Sequence, residues 1–236
     1  MKKFFEEVRK AFGPLSVKQV EGIELLVNTS AALPLKHRAY VLGTAWHETA
    51  RTMQPIEEYG KGKGKKYGEK DPTTGQVYYG RGFVQLTWKD NYAKAQNRLQ
   101  ELNLINDNVN FVVNPDLVMQ PKISAYIICI GMKEGWFTGK KMGDYNNYID
   151  MRRVVNGTDR AKDIAKYAED FEHALSYIDE PVIDVKPLPP VIADIPEVEV
   201  KPELPKNVSS GIAAWIVGLL LAAFAALGAW MTQGGN

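Results

Sequence analysis

The chain has a single cysteine, Cys129, among its 236 residues. One thiol forms neither an intrachain disulfide nor a cysteine-based zinc site. Because Cys129 lies in the apolar run ISAYIICIGM, we predict that it is a core residue. The sequence also lacks an excess of one charge, since 29 Lys and Arg face 28 Asp and Glu. We therefore expect no nucleic-acid partner, because such domains usually neutralise phosphates with a strong basic excess.

Three familiar motifs are missing. His47-Glu48 begins the HExxH pattern of zinc proteases, but Arg51 stands where the second histidine is needed. The Gly-Lys segment 60–66 lacks the spacing of a phosphate-binding loop, which favours a solvated basic loop, with contact to an anionic polymer as the alternative. After MKKFF, acidic and basic residues interrupt the apolar stretch of an export signal. We predict no metal, no cofactor and no cleavable signal.

The C-terminal part differs in composition from the rest. Residues 181–210 hold 7 of the 13 prolines, which favour extended backbone and indicate a linker. Residues 211–231 carry no charge, and as a helix they would span about 31 Å, which predicts one transmembrane helix. Residues 1–180 are then a separate domain, the head.

The charges around residues 211–231 predict an orientation. Lys201 and Lys206 precede the segment and no Lys or Arg follows it, so the head is expected on the cytoplasmic side of the inner membrane, away from the wall until the membrane is permeabilised. The opposite orientation remains the alternative. Small residues along one face favour helix packing and predict a homo-oligomer through this tail: Gly211, Ala214, Gly218, Ala222 and Ala225.

The head is predicted to be mainly α with a small β element. Ser16 is a candidate cap for a helix through about Thr29, and a helix from Leu35 to Met53 should end before Pro55. Residues 56–80 indicate an irregular excursion with two short strands at its base. Further helices are expected near 88–102, 120–136, 144–155 and 160–178.

Paired carboxylates are the leading candidate chemistry. Glu48 follows the apolar segment AYVLGTAW, where burial would raise its pKa and keep it protonated as a general acid. Glu57 and Glu58 come after Pro55, and a turn there would bring one of them back toward Glu48. A separation of about 6.5–9.5 Å would seat a water as in an inverting glycosidase.

The segment YYGRGFVQLTWKDNY, residues 78–92, combines aromatic rings with amides and hydroxyls, a mixture suited to sugars. With AWHET at 45–49, NPDLV at 114–118 and RRVVNG at 152–157, it resembles glycoside hydrolase family 19. This is the chitinase-like branch of the lysozyme superfamily, and the resemblance is strongest to phage and prophage endolysins. It implies an α+β lysozyme-like fold for the head.

The resemblance also implies roles for individual residues. Glu48 matches the general acid, and the base that activates water is Glu58 or Glu57, depending on the spacing used. Thr87 matches the hydroxyl residue that holds the water. Tyr79 and Arg81 are expected mainly to shape the turn, and Trp88 to be buried at the start of a helix rather than to stack on sugar. Three amides match substrate-binding positions: Gln85, Asn91 and Asn156.

The expected substrate is peptidoglycan. Plant chitinases of the family have disulfides and a chitin-binding module that this chain lacks, which makes insoluble chitin a poorer candidate. A slightly basic head also suits an anionic wall. The sequence thus predicts a muralytic glycosidase of host lysis that uses two carboxylates and inverts the anomeric carbon. The alternatives are a chitinase, or a non-catalytic glycan-binding or virion structural module with a membrane-oligomerising tail.

Overall fold

The computed structural model describes residues 1–178, which are mainly helical. Two short antiparallel strands, β1 (Ile56–Glu57) and β2 (Arg81–Gly82), form a small sheet. The α-helices are α1 (Lys2–Phe12), α2 (Val17–Thr29), α3 (Leu35–Glu48), α4 (Lys89–Glu101), α5 (Pro121–Glu134), α6 (Tyr148–Met151) and α7 (Ala161–Leu175). Short 3₁₀ turns lie at Lys66–Gly68, Pro115–Met119, Met142–Asp144 and Arg152–Val154. The mainly α fold with a small β element, predicted from the sequence, is confirmed.

Helix α3 lies in the centre of the core. Every residue from Ala39 to Trp46 is buried, so the helix is covered on all sides, and it packs most extensively against α7. Gly43 permits this approach: a Cβ atom there would lie 2.8 Å from the backbone nitrogen of Ala168. Helices α2 and α5 also contact α3, and Cys129 is buried in α5, where burial raises the pKa of its thiol to about 12. Its predicted core position is confirmed.

Local signals explain several helix ends. Ser16 caps α2 as predicted: its hydroxyl accepts from the backbone of Gln19, whose side chain accepts from the backbone of Ser16. Pro121 begins α5, and Gly135, in the left-handed conformation, ends it. The helices expected near 88–102, 120–136 and 160–178 are present within a few residues of those bounds.

Two predicted helices differ from the structure. The helix expected over 144–155 is a single turn, α6, capped by the Asn147 side chain and followed by a 3₁₀ turn. Helix α3 ends at Glu48, five residues before the predicted Met53. Ala50 and Arg51 have φ values of 49° and 69°, which no α-helix accommodates, so the chain turns here rather than at Pro55.

The excursion between the strands is anchored at its base. Ile56 pairs with Gly82 and Glu57 with Arg81. Gly82 has a φ of 86°, and a Cβ atom there would lie 2.6 Å from the hydroxyl of Ser124, which accepts a hydrogen bond from the backbone of Phe83. The buried guanidinium of Arg81 donates to Asp116 and to backbone carbonyls of the turn. This supports the structural role expected of Arg81 and fixes the strand beside the glutamates.

The predicted linker (181–210) and transmembrane segment (211–231) lie outside the described residues. Within residues 1–178, no helix is long and apolar enough to cross a bilayer.

Candidate active site

Glu48 is the last residue of α3, and its carboxylate is paired with Arg152. Arg152 Nη1 donates to Glu48 Oε1 at 2.6 Å, and the two side chains are only 3% and 16% exposed, with Arg152 the more buried. The sequence predicts an apolar environment for this carboxylate, but in the structure a guanidinium also contacts it. A buried arginine with a fixed fork of donors holds one carboxylate oxygen in place.

Arg152 is itself held by the loop that precedes α7. Its Nε donates to the backbone carbonyl of Asp159 at 2.9 Å. Sequence reasoning missed Arg152, although it belongs to the RRVVNG motif that nominated Asn156. Its partner lies 104 residues away in the chain, so no local pattern marks the contact.

Asn156 lies on the exposed part of the same loop. Its backbone N–H donates to the carbonyl of Arg152 at 2.9 Å, and its side-chain oxygen accepts from Gly157. The backbone of this predicted sugar-binding residue therefore contacts the backbone of Arg152, the partner of Glu48.

Glu57, on β1, is one of the two base candidates, and its carboxylate is partly exposed. Its side chain is 36% exposed and accepts hydrogen bonds from the hydroxyl of Tyr79 and from Lys61 Nζ, the latter at 3.0 Å. The Tyr79 hydroxyl, followed by Lys61, lowers the pKa of Glu57 below its usual range. A lower pKa makes a carboxylate a weaker base. Tyr79 thus contacts a candidate catalytic residue directly, beyond its expected role in the turn.

Glu58 follows β1, and its carboxylate has different partners. The Tyr67 hydroxyl donates to Oε1 at 2.8 Å, and the Gly80 backbone N–H donates to Oε2 at 3.0 Å. The Glu58 backbone N–H also donates to the carbonyl of Gly80 at 2.7 Å. Because successive side chains of an extended chain point to opposite sides, Glu57 and Glu58 do not share one environment.

Gln85 lies next to Glu58. Its Nε2 donates to the carbonyls of Ile56 and Gly82 at 3.1 and 3.2 Å, so its two amide protons tie the segment to the sheet. A Cβ atom on Gly80 would lie within about 3.3 Å of both Gln85 Oε1 and Glu58 Oε2, so both oxygens flank this glycine. The structure thus brings Gln85 together with Glu58.

Thr87 and Asn91 lie at the start of α4. The Nδ2 of Asn91 donates to the carbonyl of Thr87 at 3.0 Å, and both side chains are half-buried. This hydrogen bond holds the two predicted site residues together, two and six positions after Gln85.

Trp88 is exposed, contrary to the buried position expected from the sequence. Its residue is 48% exposed and has a φ of 70°, which places the backbone just before α4 in the left-handed region. Because the chain enters the helix from this conformation, the indole is not packed into the first turn. The ring meets Tyr67 edge to face at 5.5 Å, so Trp88, Tyr67 and Glu58 form one chain of contacts. An exposed indole, linked to a carboxylate through Tyr67, suits a sugar-stacking surface.

No protein-family model matches the chain, and a comparison with curated proteins finds no match. Solved structures do resemble it. Chitinase C from Streptomyces griseus has a TM-score of 0.50 at 18% identity, covering 72% of this chain and 74% of that one. A mutant of chitinase C has a TM-score of 0.52 at 18% identity, covering 74% of this chain and 91% of that one. The chain is therefore similar to these chitinases in fold, which is the kind of fold expected from the family 19 resemblance.

Proposed function

We propose that this protein is a glycoside hydrolase that cleaves β-1,4 bonds between the amino sugars of peptidoglycan. The observation that carries the proposal is that Glu48 and Glu58 are each held by specific donors, one at the end of α3 and the other beside the sheet. The chitinase-like fold supports the same class of reaction.

Glu48 is proposed as the general acid. Arg152 donates to Oε1, so Oε2 is the oxygen free to carry the proton when Glu48 is protonated. That proton passes to the glycosidic oxygen as the bond to the anomeric carbon breaks. Arg152 keeps the carboxyl group oriented during this transfer.

Glu58 is proposed as the general base. It takes a proton from a water that attacks the anomeric carbon from the opposite face, so the product has an inverted configuration. The Tyr67 hydroxyl and the Gly80 N–H leave lone pairs on both oxygens of Glu58 to accept the water. Thr87 is proposed to hold the same water, while Gln85, Asn91 and Asn156 bind sugar amides and hydroxyls.

Peptidoglycan is favoured over chitin because of the loop that follows Glu58. Four lysines there are exposed, and no ion pair involves them within the part of the chain that the structure describes: Lys63, Lys65, Lys66 and Lys70. Cationic side chains raise the local concentration of an anionic polymer. Chitin carries no anionic groups, whereas the wall polymer does.

A role in phage-type host lysis is proposed on sequence grounds. The endolysin-like motifs support the lytic role, and the uncharged segment 211–231 supports an inner-membrane anchor. With the head on the cytoplasmic side, the enzyme would reach the wall only after the membrane is permeabilised.

Product analysis tests the enzymatic proposal. Purified peptidoglycan and chitin oligomers are digested separately, and the products are examined by mass spectrometry and by NMR of the fresh anomeric centre. We expect ordinary reducing ends of inverted configuration from peptidoglycan. Anhydro sugars as the primary product would refute the two-carboxylate mechanism, and products from chitin alone would change the substrate.

A matched pair of variants tests Glu48. Glu48→Gln keeps the shape of the side chain but cannot donate a proton at neutral pH, so wall lysis should be lost. Because the change also removes the charge that pairs with Arg152, the melting temperature should fall, but the protein should still unfold cooperatively. Glu24→Gln makes the same change at an exposed position of α2 and should leave lysis intact. Full activity in a folded Glu48→Gln protein would refute the assignment, and the chain would then be better described as a glycan-binding module if it still bound wall fragments.

A further inference from the structure

A depression of about 530 Å³ lies beside the end of α3, and the residues that bind the Glu58 carboxylate do not line it. The depression is lined from α3 and the following turn by Trp46, His47, Ala50 and Arg51. From the first half of α7 and the residue before it, the lining residues are Arg160, Asp163 and Tyr167. This volume lies within the range of small-ligand sites. None of these residues has a role in the proposed reaction.

The depression carries more positive than negative charge. Arg160 is paired with Asp163 at 3.1 Å, but both side chains are about half exposed or more, so water weakens this pair. Arg51 has no carboxylate partner among residues 1–178; its Nη2 lies 3.5 Å from the hydroxyl of Tyr167. One guanidinium therefore remains available to an anion.

The backbone of Arg51 is held in an uncommon conformation. Its φ of 69° is in the left-handed region, which few residues other than glycine adopt. Its N–H donates to the carbonyl of Trp46 at 2.8 Å, and its carbonyl accepts from Gln19 Nε2 at 2.9 Å. Because α3 and α2 both fix this residue, its side chain starts from a rigid point, as a binding residue requires.

The depression adjoins the proposed site of bond cleavage. Arg51 is three residues after Glu48, and Arg160 follows Asp159, whose carbonyl binds the same Arg152 that pairs with Glu48. The depression and the Glu48 carboxylate thus share the turn from Arg152 to Arg160 as a neighbour. In peptidoglycan, unlike chitin, alternate sugars carry a peptide with free carboxylates.

We propose that Arg51, together with Arg160 and the Tyr167 hydroxyl, binds a carboxylate of the peptide attached to the glycan, and so selects peptide-bearing strands. This inference rests on the proposed function, because it assumes that an amino-sugar polymer occupies the site at Glu48. Arginine suits the role because its fork of donors matches the two oxygens of a carboxylate.

A binding experiment that needs no catalysis tests the inference. The probe is a disaccharide-tetrapeptide from peptidoglycan, compared with the same molecule after chemical conversion of its carboxylates to amides. Binding to the full-length Glu48→Gln protein is measured by calorimetry. Amidation should weaken binding about tenfold, as expected for the loss of one charge-assisted hydrogen bond.

Single substitutions test which residues cause the difference in binding between the two probes. Adding Arg51→Gln should abolish the difference between the two probes, and Tyr167→Phe should reduce it. Arg153→Gln, at an exposed arginine outside the depression, should leave it unchanged. Equal binding of both probes to the Glu48→Gln protein, or equal loss of both on Arg51→Gln, would overturn the inference. If the wild-type protein hydrolyses no glycan but the Glu48→Gln protein still binds the probe in a carboxylate-dependent way, the inference is upheld. The proposed hydrolase function is then refuted.

Discussion

Arg152 Nη1 lies 2.6 Å from Glu48 Oε1, although the two residues are 104 positions apart in the chain. The contact joins the C-terminal end of the central helix α3 to the 3₁₀ turn before α7. The guanidinium is 3% exposed and the carboxylate is 16% exposed, so water weakens this ion pair little. The pair therefore contributes to the stability of the head and also holds the proposed acid in position.

Removing Arg152 should therefore reduce both stability and activity. Arg152→Met leaves Glu48 without its cation, and breaking such a largely buried pair costs about 3 kcal/mol of unfolding free energy. Urea unfolding at pH 7 measures this. The exposed neighbour provides a control, since Arg153→Gln should change the value by no more than about 0.5 kcal/mol.

A double variant distinguishes the contribution of the ion pair to the unfolding free energy from the contribution of the other contacts of Arg152. If the ion pair is the cause, Arg152→Met should cost clearly less in a Glu48→Gln background than in the wild type. Equal costs in the two backgrounds would show that Arg152 stabilises the head through its other contacts, such as the carbonyl of Asp159.

The two neighbouring glutamates should differ in catalysis. Glu58→Gln should lower kcat by about a hundredfold or more, the usual contribution of a general base. Glu57→Gln should lower it far less, because Tyr79 and Lys61 lower the pKa of Glu57 and so weaken that carboxylate as a base. Turnover of peptidoglycan by the two proteins, with melting temperatures as a check on folding, measures the ranking. The reverse ranking would move the base to Glu57.

Part of the site could be predicted from the sequence and part could not. Ser16, the small β element and the order of the main helices followed from local patterns, because capping residues and apolar spacing act over a few positions. The predicted end of α3 was wrong because Ala50 and Arg51 adopt the left-handed backbone conformation. Neither residue is a glycine, so the residue types at these positions do not indicate a turn.

The partners of the glutamates were also beyond the reach of local patterns. Arg152 meets Glu48 only through packing of the end of the head against α3, and Tyr67 reaches Glu58 from the irregular excursion. Trp88 was expected to be buried because helix starts often bury such a side chain, but its φ of 70° turns the indole outward.

Trp88 should matter for binding rather than for stability. Trp88→Ala removes a 48% exposed ring whose described ring contact is Tyr67, so the melting temperature should change little. If the indole stacks on sugar, KM should rise about threefold to tenfold, the value of one aromatic contact, and Trp88→Phe should recover most of the loss. Steady-state kinetics on soluble glycan fragments would show this. An unchanged KM would exclude Trp88 from the sugar-binding surface.

Acid should destabilise the head partly through Asp71. Lys89 Nζ lies 2.9 Å from its carboxylate, and hydrogen bonds from Lys89 and Thr74 lower the pKa of Asp71 to about 2. Between pH 4 and 2 the unfolded chain binds a proton that the folded chain does not, so this contribution is full above pH 4 and is lost as the pH falls toward 2. Melting temperatures over pH 2–5 should fall less steeply for Asp71→Asn than for the wild type. Asp107→Asn, at an exposed position, should keep the wild-type slope.

The final prediction concerns residues 211–231, whose uncharged sequence predicts a membrane anchor. Because Lys201 and Lys206 precede this segment and residues 232–236 contain no Lys or Arg, the head should lie on the cytoplasmic side. Protease added to intact spheroplasts should then leave the head uncut, and detergent should make it accessible. Loss of the head without detergent would refute this orientation and place the enzyme beside the wall from the start. Recovery of the full-length chain in the soluble fraction would refute the anchor. A variant tests whether charge sets the orientation: Lys201 and Lys206 are replaced by Gln, and two lysines are added after Met231. In this variant the head should become accessible to protease in intact spheroplasts.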